Sequence, residues 1–262
     1  MEHITETVLP IVRKIREILM PHWGNAEVLR QKTESAGDVV TKLDEEVERY
    51  LANGLSKVLP GIAFVGEEFG GDRSAERFWL CDPIDGTQHF IRGLPFCTTM
   101  LALVENGQII FSVIYDFIND IAYHAEQGKG AYENNKPIRV SNRPITNSYI
   151  SYEARLNKPE DQQKFLQLRA KVILLNTISA GYELAMVATG KLEARICFDP
   201  YGGDYDYAPG ALLVQEAGGK VVNLGTDTYD YRNVNLIAAN PLVHNSLTQG
   251  PDAIFPIVGA DM

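Results

Sequence analysis

Apolar residues recur at helical spacing near the N-terminus, at Ile4, Val8, Ile11, Val12, Ile15 and Leu19. This periodicity predicts an amphipathic helix over 4–20, with Pro10 as a bend. A second helix is predicted over about 41–57, with Leu43, Val47, Tyr50, Leu51 and Leu55 turned inward. Thr41 and Asp44 at its start have the spacing of a capping box, with Asp in place of the usual Glu. Strands are expected at 63–65 and 78–81. Then two alternating segments, 98–105 and 108–115, flank Asn106-Gly107, the strongest short hairpin signal. A further turn at Asn119-Asp120 leads into a strand at 121–125, completing an antiparallel meander.

The second half alternates instead. Helical patterns at 160–170, 179–188 and 207–217 are interleaved with extended ones at 172–175, 192–197, 220–223 and 237–239, and a short helix follows. Meander first and alternation second predicts an α+β fold of layered sheets and helices. No repeat or linker divides the chain. The expectation is one catalytic domain over 1–262, with an α+β half at about 1–145 and an α/β half at about 146–262.

Composition narrows the functional classes. Hydrophobic residues make up 45% and charged residues 22% of 262 positions, which is ordinary for a globular protein. The net charge of −10 excludes generic nucleic-acid binding, which needs basic surface. It leaves phosphate chemistry open, because bound divalent cations invert the local field. No apolar run reaches the length of a membrane span, and Met1–Thr5 lacks the order of a signal peptide. Cys81, Cys97 and Cys197 form no CxxC pair and read as buried thiols of a cytoplasmic protein. The five histidines show no metal-ligand spacing and read as surface or core residues.

The chemistry concentrates in Trp79-Leu80-Cys81-Asp82-Pro83-Ile84-Asp85-Gly86-Thr87. An apolar strand delivers two aspartates three residues apart, with Pro83 stiffening a turn between them. Carboxylates on a rigid segment suit hard divalent cations. The amides of Gly86 and Thr87 could cradle a phosphate if a helix starts there. Upstream lies Gly66-Glu67-Glu68, and downstream Gly203-Asp204-Tyr205-Asp206 precedes an apolar helix. Taken singly, Asp204 or Asp206 reads as a helix cap, Glu67-Glu68 as a solvated loop end and Asp85-Gly86 as a hairpin turn. The glycines of 128–132 read as a turn between strands.

Asp82-Pro83-Ile84-Asp85-Gly86-Thr87 resembles the signature of the inositol monophosphatase family, magnesium-dependent and lithium-sensitive phosphatases. Gly66-Glu67-Glu68, Val40-Thr41-Lys42-Leu43-Asp44 and Tyr205-Asp206-Tyr207-Ala208-Pro209-Gly210 with Glu216-Ala217-Gly218-Gly219 are similar to its other motifs, in register from about residue 4 to 245. The resemblance implies a layered α/β/α/β/α sandwich of the inositol monophosphatase/fructose-1,6-bisphosphatase type, in a homodimer. It implies two or three Mg2+ ions. Glu67, Asp82 and the Ile84 carbonyl would hold one, and Asp82, Asp85 and Asp206 a second. Thr87, bonded to Asp44, would orient and help deprotonate the attacking water, and Gly86 and Thr87 would bind the phosphate. The implied substrate is a small soluble phosphomonoester like inositol 1-phosphate. Histidinol phosphate, fructose 1,6-bisphosphate or a 3′-phosphoadenosine nucleotide are alternatives for the same chemistry. A protein-binding regulator of the transcription machinery is an alternative of another class.

Departures from the family pattern cluster where the alcohol is recognised. Tyr205 stands for a tryptophan, Ile178 for an arginine, Tyr182 and Glu183 for small residues, Pro209 intrudes, and Asp199 stands for a glutamate that contacts inositol hydroxyls. Ser179, Glu183 and Asp199 are the expected substrate-binding positions. Glu183 has two readings: a carboxylate facing an amine-bearing leaving group, or a helix residue facing solvent.

Overall fold

The computed structural model describes residues 4–31 and 39–258. The first predicted helix is two: α1 (Ile4–Arg13) and α2 (Ile15–Leu19), followed by a 3-10 turn at Met20–His22. Pro10 lacks an N–H and crowds the preceding turn. Four residues on, the Lys14 N–H donates to the Ile11 carbonyl instead of continuing the ladder. The short strands β1 (Val28–Gln31) and β2 (Val39–Thr41) pair antiparallel and lead into α3 (Lys42–Val58). The expected capping box is formed: Leu43 N–H donates to Thr41 Oγ1, and Thr41 N–H donates to Asp44 Oδ2.

A seven-stranded sheet follows. β3 (Ala63–Gly66) runs parallel to β4 (Arg77–Asp85). After the one-and-a-half-turn helix α4 (Thr87–Ile91) come β5 (Thr98–Glu105), β6 (Gln108–Asp116), β7 (Ile121–Glu126), β8 (Gly130–Glu133) and β9 (Lys136–Pro137), an antiparallel meander in chain order. Asn106 (φ 50°) and Gly107 (φ 76°) close the β5–β6 hairpin with both residues at positive φ, as a two-residue turn requires.

The second half supplies β10 (Tyr149–Glu153), α5 (Pro159–Lys171), β11 (Ile173–Asn176), α6 (Ala180–Ala188), β12 (Ala194–Cys197), α7 (Asp204–Glu216), β13 (Lys220–Asn223), β14 (Leu236–Ala239) and α8 (Pro241–Thr248). Its five strands run in the order β11-β10-β12-β14-β13, parallel at β11-β10-β12 and antiparallel beyond.

Strand alternation sorts the core into three layers. On β4, Trp79 and Cys81 face α1–α3, while Phe78 and Leu80 face the opposite way onto α6 and α7. The far face of the five-stranded sheet packs Ile150 and Ile196 against Leu168, Val243 and Leu247 of α5 and α8. Helices, sheet, helices, sheet, helices is the α/β/α/β/α sandwich expected. All three cysteines are free and buried. Among the described residues no helix is long and apolar enough to cross a membrane.

Candidate active site

The cleft, about 690 Å3, opens where the end of β4 meets the N-termini of α6 and α7. Asp82 and Asp85 lie three residues apart, and a regular strand would send them to opposite faces. The structure resolves this with a β-bulge in place of the expected turn: Asp82 is opposite Met100 and Asp85 opposite Thr98, one residue more on β4 than on β5. Pro83, with no N–H to offer the ladder, sits inside the bulge, and its carbonyl accepts from Thr99 Oγ1 at 2.8 Å. Both carboxylates thereby reach one side. Carboxylate oxygens of Asp82, Asp85 and Asp206 lie within 4.8 Å of one another.

The cluster is buried, with Asp82 and Asp85 almost wholly shielded from solvent. Burial, followed by the charges of Glu67, Asp206 and Asp85, pushes the Asp82 carboxyl well up. Burial and then Glu67 and Asp85 do the same to Asp206. Like charges packed in low dielectric need a cation to stay ionised. The donor set, all hard oxygen, is the kind that Mg2+ or Ca2+ takes. The residues present therefore fit a divalent cation.

Each carboxylate of the cluster is also braced. Asp82 Oδ1 accepts from the Ile84 N–H at 3.0 Å. Asp206 Oδ2 accepts from Gly203 N–H at 2.6 Å, so its capping role and its place in the cluster coexist. Asp85 receives the N-terminus of α6: Ser179 Oγ at 2.5 Å, Gly181 N–H at 2.8 Å and Ala180 N–H at 3.2 Å. A side chain at Gly181 would lie 2.4 Å from Thr98 Oγ1, so only glycine allows this approach. Glu67 lines the cleft after β3. Buried Glu48 accepts from the N–H groups of Glu68 and Phe69 and so fixes that turn, while Glu68 pairs with Arg30 at 2.9 Å.

Gly86, at φ 86°, caps α4, and a Cβ there would lie 2.5 Å from the Phe96 carbonyl. Thr87 Oγ1 lies 2.9 Å from the Ile84 carbonyl and 3.2 Å from Asp44 Oδ1. Burial raises Asp44 to about 6, against the Thr41 hydrogen bonds that lower it.

The expected substrate-binding positions divide. Ser179 lines the cleft and holds Asp85. Glu183 faces neither solvent nor the cleft. It is buried, pairs with Arg195, and accepts from Ile178 N–H at 2.7 Å and Thr177 Oγ1 at 3.2 Å. Both readings of Glu183 are corrected by this pairing, since a carboxylate buried among apolar residues is stable only when matched. Asp199 lies outside the cleft lining, with positive φ (50°), and faces Arg155 at 3.4 Å.

Several wall residues escaped the sequence. Glu153, at the end of an unexpected strand, pairs with Arg195 and accepts from Tyr207 Oη at 3.0 Å, Tyr201 N–H at 2.8 Å and Gly202 N–H at 3.3 Å. Arg155 and His89 also line the cleft, as do Tyr201, Tyr205 and Tyr207, whose tyrosine-rich segment the sequence does mark as a pocket wall or interface. The available signal was Arg195 itself, an arginine inside the apolar segment 192–197, which calls for buried carboxylate partners.

A model of the inositol monophosphatase family matches residues 1–250. The chain is 28% identical over 259 residues to a fructose-1,6-bisphosphatase/inositol-1-monophosphatase of Thermotoga maritima, covering 96% of each. It is 31% identical over 250 residues to the Nus factor SuhB of Xylella fastidiosa, covering 90% of each. The structure of a Thermotoga maritima IMPase superposes with a TM-score of 0.83 at 28% identity, over 94% of this chain and 95% of that one. With an acidic cluster that could hold a metal, its layered fold and this match along nearly its whole length, the chain belongs to the inositol monophosphatase family and is a phosphoric monoester hydrolase.

Proposed function

We propose that the protein hydrolyses a small soluble phosphomonoester with two or three Mg2+ ions, on a site shared by the two halves of the chain. The observation that carries this reading is the convergence of Asp82, Asp85 and Asp206 within 4.8 Å beside the left-handed Gly86 cap. Asp82, Asp85 and Asp206 would hold one ion, and Glu67, Asp82 and the Ile84 carbonyl another. When bound, the ions supply Lewis acidity, making water a nucleophile near neutral pH and offsetting charge on the phosphoryl oxygens.

The chain's own residues do the rest. The amides of Gly86 and Thr87, at the start of α4, orient the phosphoryl group. Thr87 Oγ1 holds the attacking water in line and passes a proton toward Asp44, whose raised pKa suits it to accept one. The bulge and the α6 N-terminus keep the ligands in place before substrate arrives, so little reorganisation is needed. Three carboxylates, two of them buried, held together without use would only destabilise the fold, which supports catalysis over a purely protein-binding role.

The test is phosphate release from a panel of phosphomonoesters, inositol 1-phosphate included, with Mg2+ and with a chelator. Turnover should appear with Mg2+ and vanish with chelator. Activity indifferent to chelator would exclude the metal reading.

A further inference from the structure

On the reading that Asp82, Asp85 and Asp206 share a divalent cation, we propose that Arg195 is a positioning residue for that ion: through Glu183 and Glu153 it fixes the two segments that hold Asp85 and Asp206 in place. Arg195 is fully buried on β12 and lies outside the residues that line the cleft, so it meets no ion or substrate directly. Its guanidinium instead bridges two carboxylates from different elements. Nη1 pairs with Glu183 of α6 and Nη2 with Glu153 of β10, and Nη1 also donates to Thr177 Oγ1 at 3.1 Å.

One arm runs to Asp85. Glu183 accepts from the Ile178 N–H at 2.7 Å and from Thr177 Oγ1 at 3.2 Å, which fixes the segment just before Ser179. Ser179 caps α6 and donates to Asp85 Oδ2 at 2.5 Å, and the Gly181 N–H donates to the same oxygen at 2.8 Å. The other arm runs to Asp206. Glu153 accepts from the Tyr201 N–H at 2.8 Å and the Gly202 N–H at 3.3 Å. Tyr207 Oη donates to Glu153 at 3.0 Å and accepts from the Gly202 N–H at 3.2 Å. Gly203, the next residue, donates to Asp206 Oδ2 at 2.6 Å. This segment is pressed against the carboxylate, since a Cβ at Gly202 would lie 2.7 Å from Asp206 Oδ2. Both arms work against the same force. Without a cation between them, the clustered carboxylates repel one another. If the surrounding segments yield, the carboxylates swing apart, and an incoming ion must gather them again at a cost in affinity. Two arms that meet at one guanidinium resist that movement together. The planar fork holds two carboxylates at a set angle, which the single ammonium of a lysine does not.

Two variants test the arms. Arg195→Lys keeps the charge and loses the fork. Tyr207→Phe keeps Arg195 with both glutamates and removes only the hydroxyl that ties Gly202 to Glu153. Mn2+ alone is the probe: the metal-free protein is titrated, the free ion is read by electron paramagnetic resonance, and circular dichroism reports the fold. Arg195→Lys should weaken Mn2+ binding by about 10–100-fold, and Tyr207→Phe by about tenfold because one arm survives, with the fold retained in both. Turnover of both variants should recover at high Mg2+, since the grip on the ion is what they lose. Wild-type Mn2+ affinity in folded Arg195→Lys, or lost turnover that high Mg2+ leaves unrestored, would overturn the inference and leave Arg195 a partner of buried carboxylates only. If Arg195→Lys does not fold, Tyr207→Phe decides by the same two outcomes. Wild-type protein that takes up no Mn2+ would overturn the metal reading and this inference with it.

Discussion

The two sides of the cleft treat buried charge in opposite ways. On the metal side, Asp82, Asp85 and Asp206 converge, and burial with mutual repulsion drives Asp82 and Asp206 well above the usual carboxylate range. On the opposite wall, Glu153 and Glu183 converge on one fully buried guanidinium, and N–H and O–H donors of the protein satisfy their remaining oxygens. The first arrangement is incomplete without a cation, and the second is complete without one. The same residue type is thus a reactive group in one wall and a structural strut in the other, and the deciding difference is one arginine.

The largest expected effect breaks the metal side. Asp206→Asn should lower kcat/KM by more than about a hundredfold, since even residues that merely support metal ligands cost 10–100-fold. Its fold should survive, because an asparagine can still accept from the Gly203 N–H. Steady-state kinetics across an Mg2+ titration would show it, and near-normal turnover at saturating Mg2+ would return Asp206 to a capping role alone.

The opposite wall should fail in the other currency, stability. Arg195→Met leaves Glu153 and Glu183 buried without their cation, and removing one partner from such a group destabilises by about 3–5 kcal/mol. Denaturant unfolding is the measurement. A variant as stable as the wild type would show that the two carboxylates carry no net charge in the fold, removing the contrast between the walls.

A smaller change sharpens the metal side. Thr87→Ala should reduce kcat by about a hundredfold while the Mg2+ concentration for half-maximal activity moves little, because the hydroxyl is assigned to water and not to the ion. A shifted Mg2+ requirement with kcat retained would instead make Thr87 a brace of the Ile84 carbonyl.

How much of this was legible follows from how far apart the residues lie along the chain. Asp82, Asp85, Gly86 and Thr87 fall within six consecutive positions, so their chemistry could be read directly, and the capping box of Thr41 and Asp44 is local too. The Asn106-Gly107 hairpin is likewise set by two residues. Glu183 could not be read, because its meaning depends on Arg195, twelve positions on and in a different element. Even within the signature, the relation of Asp82 to Asp85 was misread as a turn, since a bulge is defined by the partner strand and not by the strand itself.

What the amino-acid sequence determined by itself was therefore the local periodicity of helices and strands, the caps and turns, and the identity of a contiguous acidic segment, all governed by interactions a few residues long. What only the tertiary structure decided was which carboxylates meet a guanidinium and which meet each other. That choice is made by sheet pairing and helix docking, which bring β10, β12 and α6 around Arg195 and gather Asp82 and Asp85 of β4 and Asp206 of α7 against one another. Coulomb energies in a buried site depend on separations of a few ångströms, and separation in space is what a linear order of residues does not contain.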